Sequence, residues 1–213
     1  MRQIFTKLLF AFLIAAGSAM TAQAEEDKRG NVMIVAGGCF WCVESDFDHV
    51  PGVLETISGY TGGHLADPSY KDMTGGKSGH LEVVAIKLDP NKVSYSQLLD
   101  VFWRSVDPTD DGCLFCDRGD SYATAIFATT PEQKRLAEES KRKISTSGLL
   151  KRLIVTPVHD AGPFYRAEEY HQDYYKRNPL RYRLYRYNRG RDQRIAEIWG
   201  DEAHNGISTP LRS

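Results

Sequence analysis

The chain lacks an excess of charge of either sign, because 27 lysine and arginine residues stand against 28 aspartate and glutamate residues. Nucleic-acid binding usually requires a basic surface, so this balance argues against a nucleic-acid partner. The chain also lacks an apolar run of the roughly 20 residues that a membrane-spanning helix needs. It contains no internal repeat and no interior linker. A length of 213 residues with 41% hydrophobic residues therefore predicts a single globular domain with a substantial core.

Cysteine is also scarce, and its four copies form two Cys-x-x-Cys pairs: Cys39 with Cys42, and Cys113 with Cys116. A domain of this length does not need disulfides merely to hold its fold. The cysteines are therefore candidates for redox chemistry or for metal binding. Paired zinc ligands are usually separated by about 15–20 residues, whereas residues 43–112 lie between these two pairs. We expect no bound metal, and a zinc site remains the alternative.

The N-terminus differs in composition from the rest of the chain. Two basic residues precede the apolar run 8–16, and small residues then lead to Ala-Gln-Ala at 22–24. This order is typical of a secretory signal peptide, and a buried helix is the alternative. We predict that residues 1–24 are removed and that residues 25–213 are the mature domain. The expected location is exported, in a periplasm, without membrane association after cleavage.

Hydrophobic periodicity predicts strands that are only partly separated by helices. The predicted strands are 32–36, 53–58, 81–88, 122–128 and 153–158, and the predicted helices are 39–47, 94–106, 130–147 and 167–177. Ser94 and Gln97 form a capping box for the second helix. Neighbouring strands without a helix between them favour a two-layer α+β fold with a mixed sheet over a doubly wound one. Residues 59–79 and 107–120 are long loops of the kind that often carry function, and the tail after 178 is predicted to be irregular.

Cys39 lies at a predicted strand-to-helix turn, directly after Gly37 and Gly38. The free N–H groups and the dipole at a helix start stabilise a thiolate, so this position predicts a nucleophile. Cys42 follows one helical turn later on the same face and suits a thiol that attacks an oxidised Cys39. A buried structural cysteine is the alternative interpretation at both positions.

Other side chains could supply protons or an apolar surface beside Cys39. Glu82 begins a predicted strand and Tyr70 and Tyr122 lie beside loops, so all three are candidate proton donors. Phe40 and Trp41 directly follow the cysteine and either line a pocket or belong to the core. Taken alone, a glutamate at a strand end is usually solvated and a tyrosine usually serves packing.

An ordered set of motifs resembles one known family, the A-type peptide methionine sulfoxide reductases. The segment from Gly38 to Glu44, Gly-Cys-Phe-Trp-Cys-Val-Glu, resembles their Gly-Cys-Phe-Trp signature, with Cys42 marking a Gly-Cys-Phe-Trp-Cys subgroup. The other matching motifs are Gly59-Tyr60-Thr61-Gly62-Gly63, Pro68-Ser69-Tyr70, Gly79-His80-Leu81-Glu82, Asp107-Pro108-Thr109, residues 117–122, Phe164-Tyr165, Ala167-Glu168 and His171-Gln172-Asp173-Tyr174. They run in order from about residue 31 to about residue 200.

The resemblance implies a fold and an activity. The fold would be a ferredoxin-like α+β core with long functional loops. The activity would be reduction of methionine-(S)-sulfoxide, free or in oxidised proteins, to methionine. Cys39 would be the nucleophile and Glu82 the proton donor, while Tyr70 and Tyr122 would bind the sulfoxide oxygen.

The resemblance also implies the substrate contacts and the reductant. Phe40 and Trp41 would surround the S-methyl group, Tyr174 would lie at the pocket edge and Asp117 near its polar rim. A thioredoxin-like dithiol would complete the cycle, without a metal or an organic cofactor. The chain departs from many relatives at Pro157, where they carry an acidic residue. It also has no cysteine near residues 188–190, which excludes a resolving cysteine in the tail.

The expected reaction forms a sulfenic acid on Cys39 and then an intramolecular disulfide. We expect Cys42 to resolve the sulfenic acid. Cys113 and Cys116 are candidate secondary redox cysteines, and three roles remain open for them: a separate disulfide, a second relay from Cys42, or packed thiols. One alternative is a general thiol–disulfide oxidoreductase that uses the first pair and has no need of Glu82. The other is a non-catalytic zinc-binding module.

Overall fold

The structure is a computed structural model that describes residues 29–110 and 120–208. The predicted signal peptide and the predicted site residues Cys113, Cys116 and Asp117 lie outside these ranges. The strands are β1 (Val32–Gly37), β2 (Val53–Thr61), β3 (Leu81–Leu88), β4 (Thr124–Ala128), β5 (Val158–Asp160) and β6 (Tyr165–Arg166). The helices are α1 (Phe40–Asp48), α2 (Tyr70–Thr74), α3 (Tyr95–Arg104), α4 (Pro131–Thr146), α5 (Tyr174–Arg177), α6 (Pro179–Asn188) and α7 (Arg191–Trp199). None of these helices is long and apolar enough to cross a bilayer.

The six strands form one mixed sheet in the order β5-β4-β1-β3-β2-β6. All neighbours are antiparallel except β4 and β5, which are parallel. The central order β4-β1-β3-β2, with α1 and α3 as the connections, is the ferredoxin-like arrangement of β-α-β-β-α-β units. The predicted α+β fold with a mixed sheet is confirmed.

The core lies mainly between one face of the sheet and the helices. Alternate residues of a strand point to opposite faces, and β1 shows this clearly. Its Met33 and Val35 join the large helix-covered cluster, to which α1 and α3 contribute. Ile34 and Ala36 join a smaller cluster on the other face. The larger cluster lies on the face that the helices cover, so the helices form the second layer of the fold on that face.

Local signals placed several elements correctly. Strand β3 has the predicted bounds, and the Ser94 and Gln97 capping box is present at the start of α3. Thr130 caps α4 by accepting a hydrogen bond from the Gln133 N–H, and Pro131 occupies the first helical position, where its missing N–H costs nothing. The helix predicted from residue 39 begins at Phe40, with Cys39 as its N-cap.

Two predicted elements after α4 are wrong. The strand predicted at 153–158 is displaced, since β5 runs over Val158–Asp160 and shares only Val158 with the prediction. Pro157, directly before β5, has no N–H to donate to a ladder. The helix predicted at 167–177 is a 3-10 turn at Glu169–His171 followed by the short α5. The two are separated at Asp173, whose left-handed φ of 52° is incompatible with a continuous helix.

The tail that was expected to be irregular forms α6 and α7 instead. The two helices join at Gly190, which has a φ of 66°, a conformation that glycine adopts without strain. Their buried residues recur every four positions, at Tyr182 and Arg186 in α6 and at Ile195 and Trp199 in α7. The tail therefore packs on the domain through tertiary contacts, which supply most of the stability of short helices.

Candidate active site

A cavity of about 240 Å³ opens at the N-terminus of α1. Seven side chains that were predicted from the sequence line it: Cys39, Phe40, Trp41, Tyr70, Glu82, Tyr122 and Tyr174. They come from α1, α2, β3, the turn before β4 and α5. The fold therefore brings together residues that are far apart in the chain.

The turn before α1 fixes the position of the cysteine. Gly38 has a φ of 78°, which a side chain would make strained, and it turns the chain from β1 into the helix. The Cys39 carbonyl accepts hydrogen bonds from the N–H groups of Cys42 at 3.0 Å and Val43 at 3.3 Å. The first helical N–H, that of Phe40, instead donates to Glu82 Oε2 at 2.9 Å. The helix start thus holds the carboxyl of Glu82 beside the nucleophile candidate.

The two cysteines of α1 are free thiols, and both are buried. The Cys39 thiol donates a hydrogen bond to the Cys42 sulfur. Burial raises the pKa of Cys39 well above its ordinary value, and the neighbouring Cys42 and Glu82 raise it further. The hydrogen bond from Cys39 lowers the pKa of Cys42 despite burial, with help from the charges of Arg186 and Arg191. In the resting pair the hydrogen bond and the arginine charges therefore favour an anion at Cys42. The nucleophilic role of Cys39 stays a prediction.

Tyr70 and Tyr122 form the polar wall of the cavity. Tyr122 donates a hydrogen bond to the Tyr70 hydroxyl. Burial raises the pKa of Tyr70 to about 12, so its phenol keeps its proton at neutral pH. A pair of protonated phenols is suited to bind an oxygen that gains negative charge.

Glu168 fixes the position of this wall. Its carboxylate accepts a hydrogen bond from the Tyr70 N–H at 2.8 Å and another from the Tyr60 hydroxyl at 2.8 Å. Burial opposes ionisation of Glu168, but these hydrogen bonds lower its pKa overall. Tyr60 lies opposite Glu82 in the β2–β3 register. Glu168 therefore ties α2 to the strand that faces the proton-donor candidate.

Aromatic rings form the apolar wall. Trp41 stacks on Tyr174, with ring centroids 3.8 Å apart and planes within 8°. Its indole N–H donates to His171 Nδ1 at 3.2 Å. Burial lowers the pKa of His171 to about 4, so the ring is neutral near pH 7 and can accept this bond. The Phe40 ring lies 4.9 Å from His171, and the contacts together hold a rigid apolar surface beside Cys39.

Gln172 anchors the segment that carries His171 and Tyr174. Its side chain accepts a hydrogen bond from the Ser58 N–H at 3.0 Å and donates to the Ser58 and Ala167 carbonyls, each at 2.9 Å. It therefore completes the hydrogen bonding of β2 beyond the short β6. This anchoring role accounts for part of the His-Gln-Asp-Tyr motif.

Helix α6 and its C-cap contribute three lining residues that the sequence did not predict: Arg181, Tyr185 and, at the C-cap, Arg189. Tyr185 makes a hydrogen bond to the Cys39 sulfur that lowers the pKa of that thiol. The three residues recur at intervals of four, which is typical of one face of a helix. That spacing, together with Pro179 at a helix start, is the signal that would have found them.

The second cysteine pair and Asp117 lie outside the described residues. Within residues 29–110 and 120–208, no three His, Cys, Asp or Glu side chains are grouped so that they could hold a metal ion. The cluster at the cavity therefore consists of thiols, one carboxyl and phenols. Such a set is suited to nucleophilic attack coupled to proton donation.

Comparisons with known proteins agree with this chemistry. The family model described as "Peptide methionine sulfoxide reductase" matches residues 31–203. The chain is 50% identical over 202 residues to peptide methionine sulfoxide reductase MsrA 2 of Rhizobium meliloti, covering 95% of this chain and 98% of that protein. It is also 50% identical to the Bacillus licheniformis protein MsrA, covering 81% and 96% of the two chains. The structure is similar to methionine sulfoxide reductase A of Corynebacterium diphtheriae, with a TM-score of 0.62, 30% identity and coverage of 70% and 76%.

Proposed function

The chain belongs to the peptide methionine sulfoxide reductase family, and on that premise we propose that it reduces methionine-(S)-sulfoxide through Cys39. The substrate is free methionine sulfoxide or the same residue in an oxidised protein. One observation carries the proposal: the thiol of Cys39, the carboxyl of Glu82 and the phenols of Tyr70 and Tyr122 line a single cavity. A general disulfide exchange enzyme does not need a carboxyl and two phenols beside its thiol.

In the first step the sulfoxide lies with its methyl group against Phe40 and Trp41 and its oxygen toward Glu82. The Cys39 sulfur attacks the sulfoxide sulfur while Glu82, assisted by the phenols, protonates the departing oxygen. Oxygen transfer, directly or through a short-lived adduct, yields methionine and a sulfenic acid on Cys39. The thiol is oxidised by two electrons and the sulfoxide is reduced by two.

In the second step Cys42 attacks the sulfenic sulfur of Cys39. A disulfide forms, and the hydroxyl group leaves as water after it takes up a proton. The hydrogen bond between the two sulfurs in the resting pair supports Cys42 as the first resolving thiol, because little movement is needed. A thioredoxin-like dithiol then reduces the disulfide by exchange. Cys113 and Cys116 are proposed as a later relay.

The test of the activity is turnover of each methionine sulfoxide epimer with dithiothreitol as reductant. We expect reduction of the S epimer alone. Cys39→Ser should release no methionine, whereas the matched control Cys42→Ser should still release one equivalent in a single turnover. Substantial turnover by Cys39→Ser, with the fold intact by circular dichroism, contradicts the proposal.

The order of the thiols is tested by mapping disulfides in the non-reduced protein after one turnover without reductant. A Cys39–Cys42 link is expected as the first product, and Cys42→Ala should accumulate sulfenic acid on Cys39. A first link from Cys39 to Cys113 or Cys116 assigns the resolving role to the second pair instead.

We also propose that the protein acts in an exported compartment, a periplasm, after removal of residues 1–24. The three-part pattern of basic, apolar and small residues supports this location. N-terminal sequencing of protein from the exported fraction should find a start near Glu25. An intact Met1 in that fraction contradicts the proposal.

A further inference from the structure

A buried ionic cluster lies behind the cysteine pair and has no part in the steps above. Asp46 follows Cys42 by one turn of α1, and Arg186 of α6 donates a hydrogen bond to its carboxylate at 2.7 Å. Arg191 of α7 approaches the other carboxylate oxygen at 3.6 Å. Asp46, Arg186 and Arg191 are all at least 95% buried. Charged groups at such depth are costly unless they are paired.

Both arginines of the cluster make hydrogen bonds in addition to their contacts with Asp46. Arg191 also donates to the Gly37 carbonyl at 2.8 Å and the Ser105 carbonyl at 2.7 Å, which are neutral acceptors. Arg186 has a second carboxylate partner in Asp192, at 2.6 Å, but the Asp192 side chain is 40% exposed and lies at the outer end.

Tyr182 joins this cluster to the cysteines. Its hydroxyl accepts a hydrogen bond from Arg186 at 2.9 Å. The same residue packs in the small cluster that contains Cys39 and Cys42. Tyr182 therefore contacts both the guanidinium of Arg186 and the cluster that contains the cysteine pair.

We propose that Arg186 is a positioning residue that stabilises the Cys42 thiolate and so sets the pH at which Cys42 attacks the oxidised Cys39. The inference rests on the resolving role of Cys42 proposed above. In that step the thiolate supplies the electron pair of the new S–S bond. The hydroxyl on Cys39 leaves and takes up one proton to become water. Below the pKa of Cys42, a larger thiolate fraction raises the rate, and the lower nucleophilicity of a less basic thiolate offsets part of this gain.

Among the described residues, charged or titratable groups act on Cys42 from three helices. They include Cys39 at the N-cap of α1, Asp46 within α1, Tyr182 and Arg186 on α6, and Arg191 on α7. The hydrogen bond from Cys39 and the two arginines lower the pKa of Cys42, whereas burial and Asp46 raise it. The arginines and Asp46 therefore act on the same sulfur in opposite directions.

Because Arg186 and Asp46 change the pKa of Cys42 in opposite directions, variants at these two positions test the inference. Single turnovers with methionine-(S)-sulfoxide and no reductant are quenched at intervals across a pH series. Methionine release and the Cys39–Cys42 disulfide are then measured separately by mass spectrometry. We expect Arg186→Gln to raise the midpoint of the pH profile of the disulfide-formation rate by about one pH unit. We expect Asp46→Asn to lower this midpoint. Arg186→Lys keeps the charge and should lie closer to the unmodified protein.

The pair of variants separates an electrostatic role from a structural one. Arg186→Gln and Asp46→Asn break the same ion pair, so a purely structural contribution lowers stability in both and shifts the midpoint in neither. Unmoved midpoints, or shifts of the same sign, overturn the inference. If Arg186→Gln does not fold, the downward shift in Asp46→Asn and the near-normal profile of Arg186→Lys still decide the question. Failure of methionine release in the unmodified protein would instead contradict the proposed function.

Discussion

Ionisation of Glu44 should make the folded protein less stable as the pH rises from 4.5 to about 7. Its side chain lies in α1, is 1% exposed, and has one carboxyl oxygen, Oε2, without a hydrogen-bond partner. Burial raises its pKa from 4.5 to about 7, and repulsion from Asp173 and Asp48 adds to the effect. The hydrogen bond from the Asp173 N–H and the charge of Lys176 offset only part of it.

The sign follows from proton binding in the two states. Between pH 4.5 and about 7 the folded protein keeps a proton on Glu44 that the unfolded chain has lost. The stability contributed by the protonated group is complete below pH 4.5 and is lost as the pH rises through about 7. Each pH unit in this interval costs about 1.36 kcal/mol, so the total loss is about 3 kcal/mol.

Glu44→Gln removes this titration and keeps an oxygen that can accept the Asp173 N–H. We expect nearly equal unfolding free energies for variant and unmodified protein at pH 4.5. At pH 8 the variant should be more stable by as much as about 3 kcal/mol. Urea unfolding followed by circular dichroism across the pH range measures the difference. Glu55→Gln, at an exposed position of β2, is the matched control, and parallel curves for Glu44→Gln and the unmodified protein refute the reasoning.

Three further predictions concern the site and the helices. Glu82→Gln should slow methionine formation more at high pH than at low pH, because solvent acid partly replaces the lost donor; an unchanged single-turnover rate across the pH range removes Glu82 from the mechanism. Tyr185→Phe should shift the pH profile of methionine formation to higher pH, because it removes a hydrogen bond that lowers the pKa of Cys39. An identical profile contradicts this role. Thr130→Ala should lower the unfolding free energy by about 1 kcal/mol through loss of the α4 cap, while leaving single-turnover rates unchanged, as urea unfolding and the activity assay will show.

The two-layer α+β core was predictable from sequence because its signals are local, and the resemblance to the family implied its ferredoxin-like form. Strand β3 is a mostly apolar segment, and α3 begins with a side-chain cap that needs only residues three positions apart. The tail was not predictable in this way. The buried residues of α6 and α7 include Arg186 and Arg191, which hydrophobic periodicity reads as surface positions. Their partner Asp46 lies 140 residues before Arg186 in the chain, so no local pattern reveals the pairing.

The candidate site likewise has features that local sequence predicts and features that depend on tertiary contacts. The position of Cys39 at a helix start follows from two glycines and a hydrophobic pattern, and the motifs point to Glu82 and the tyrosines. The charge state of the cysteine pair does not follow from them. It depends on burial of Cys39 and on arginines that reach Cys42 from the other end of the chain. A sequence argument that considers only the helix dipole leaves out these contributions to the pKa values of the two thiols.

At the N-terminus of α1, one backbone N–H holds the candidate proton donor beside the candidate nucleophile. This hydrogen bond decides which substitution of Glu82 gives an interpretable test. A helix start offers free N–H groups, and here the Phe40 N–H binds Glu82 and not the Cys39 sulfur. The carboxyl is thereby held one residue from the thiol, but the thiol loses one donor that would stabilise its anion. Glu82→Ala would leave the buried Phe40 N–H without a partner, at a cost of about 1–3 kcal/mol, and would mix a folding defect with a catalytic one. Glu82→Gln retains an oxygen for that N–H and avoids this folding defect, so its rate reports the loss of the ionisable carboxyl.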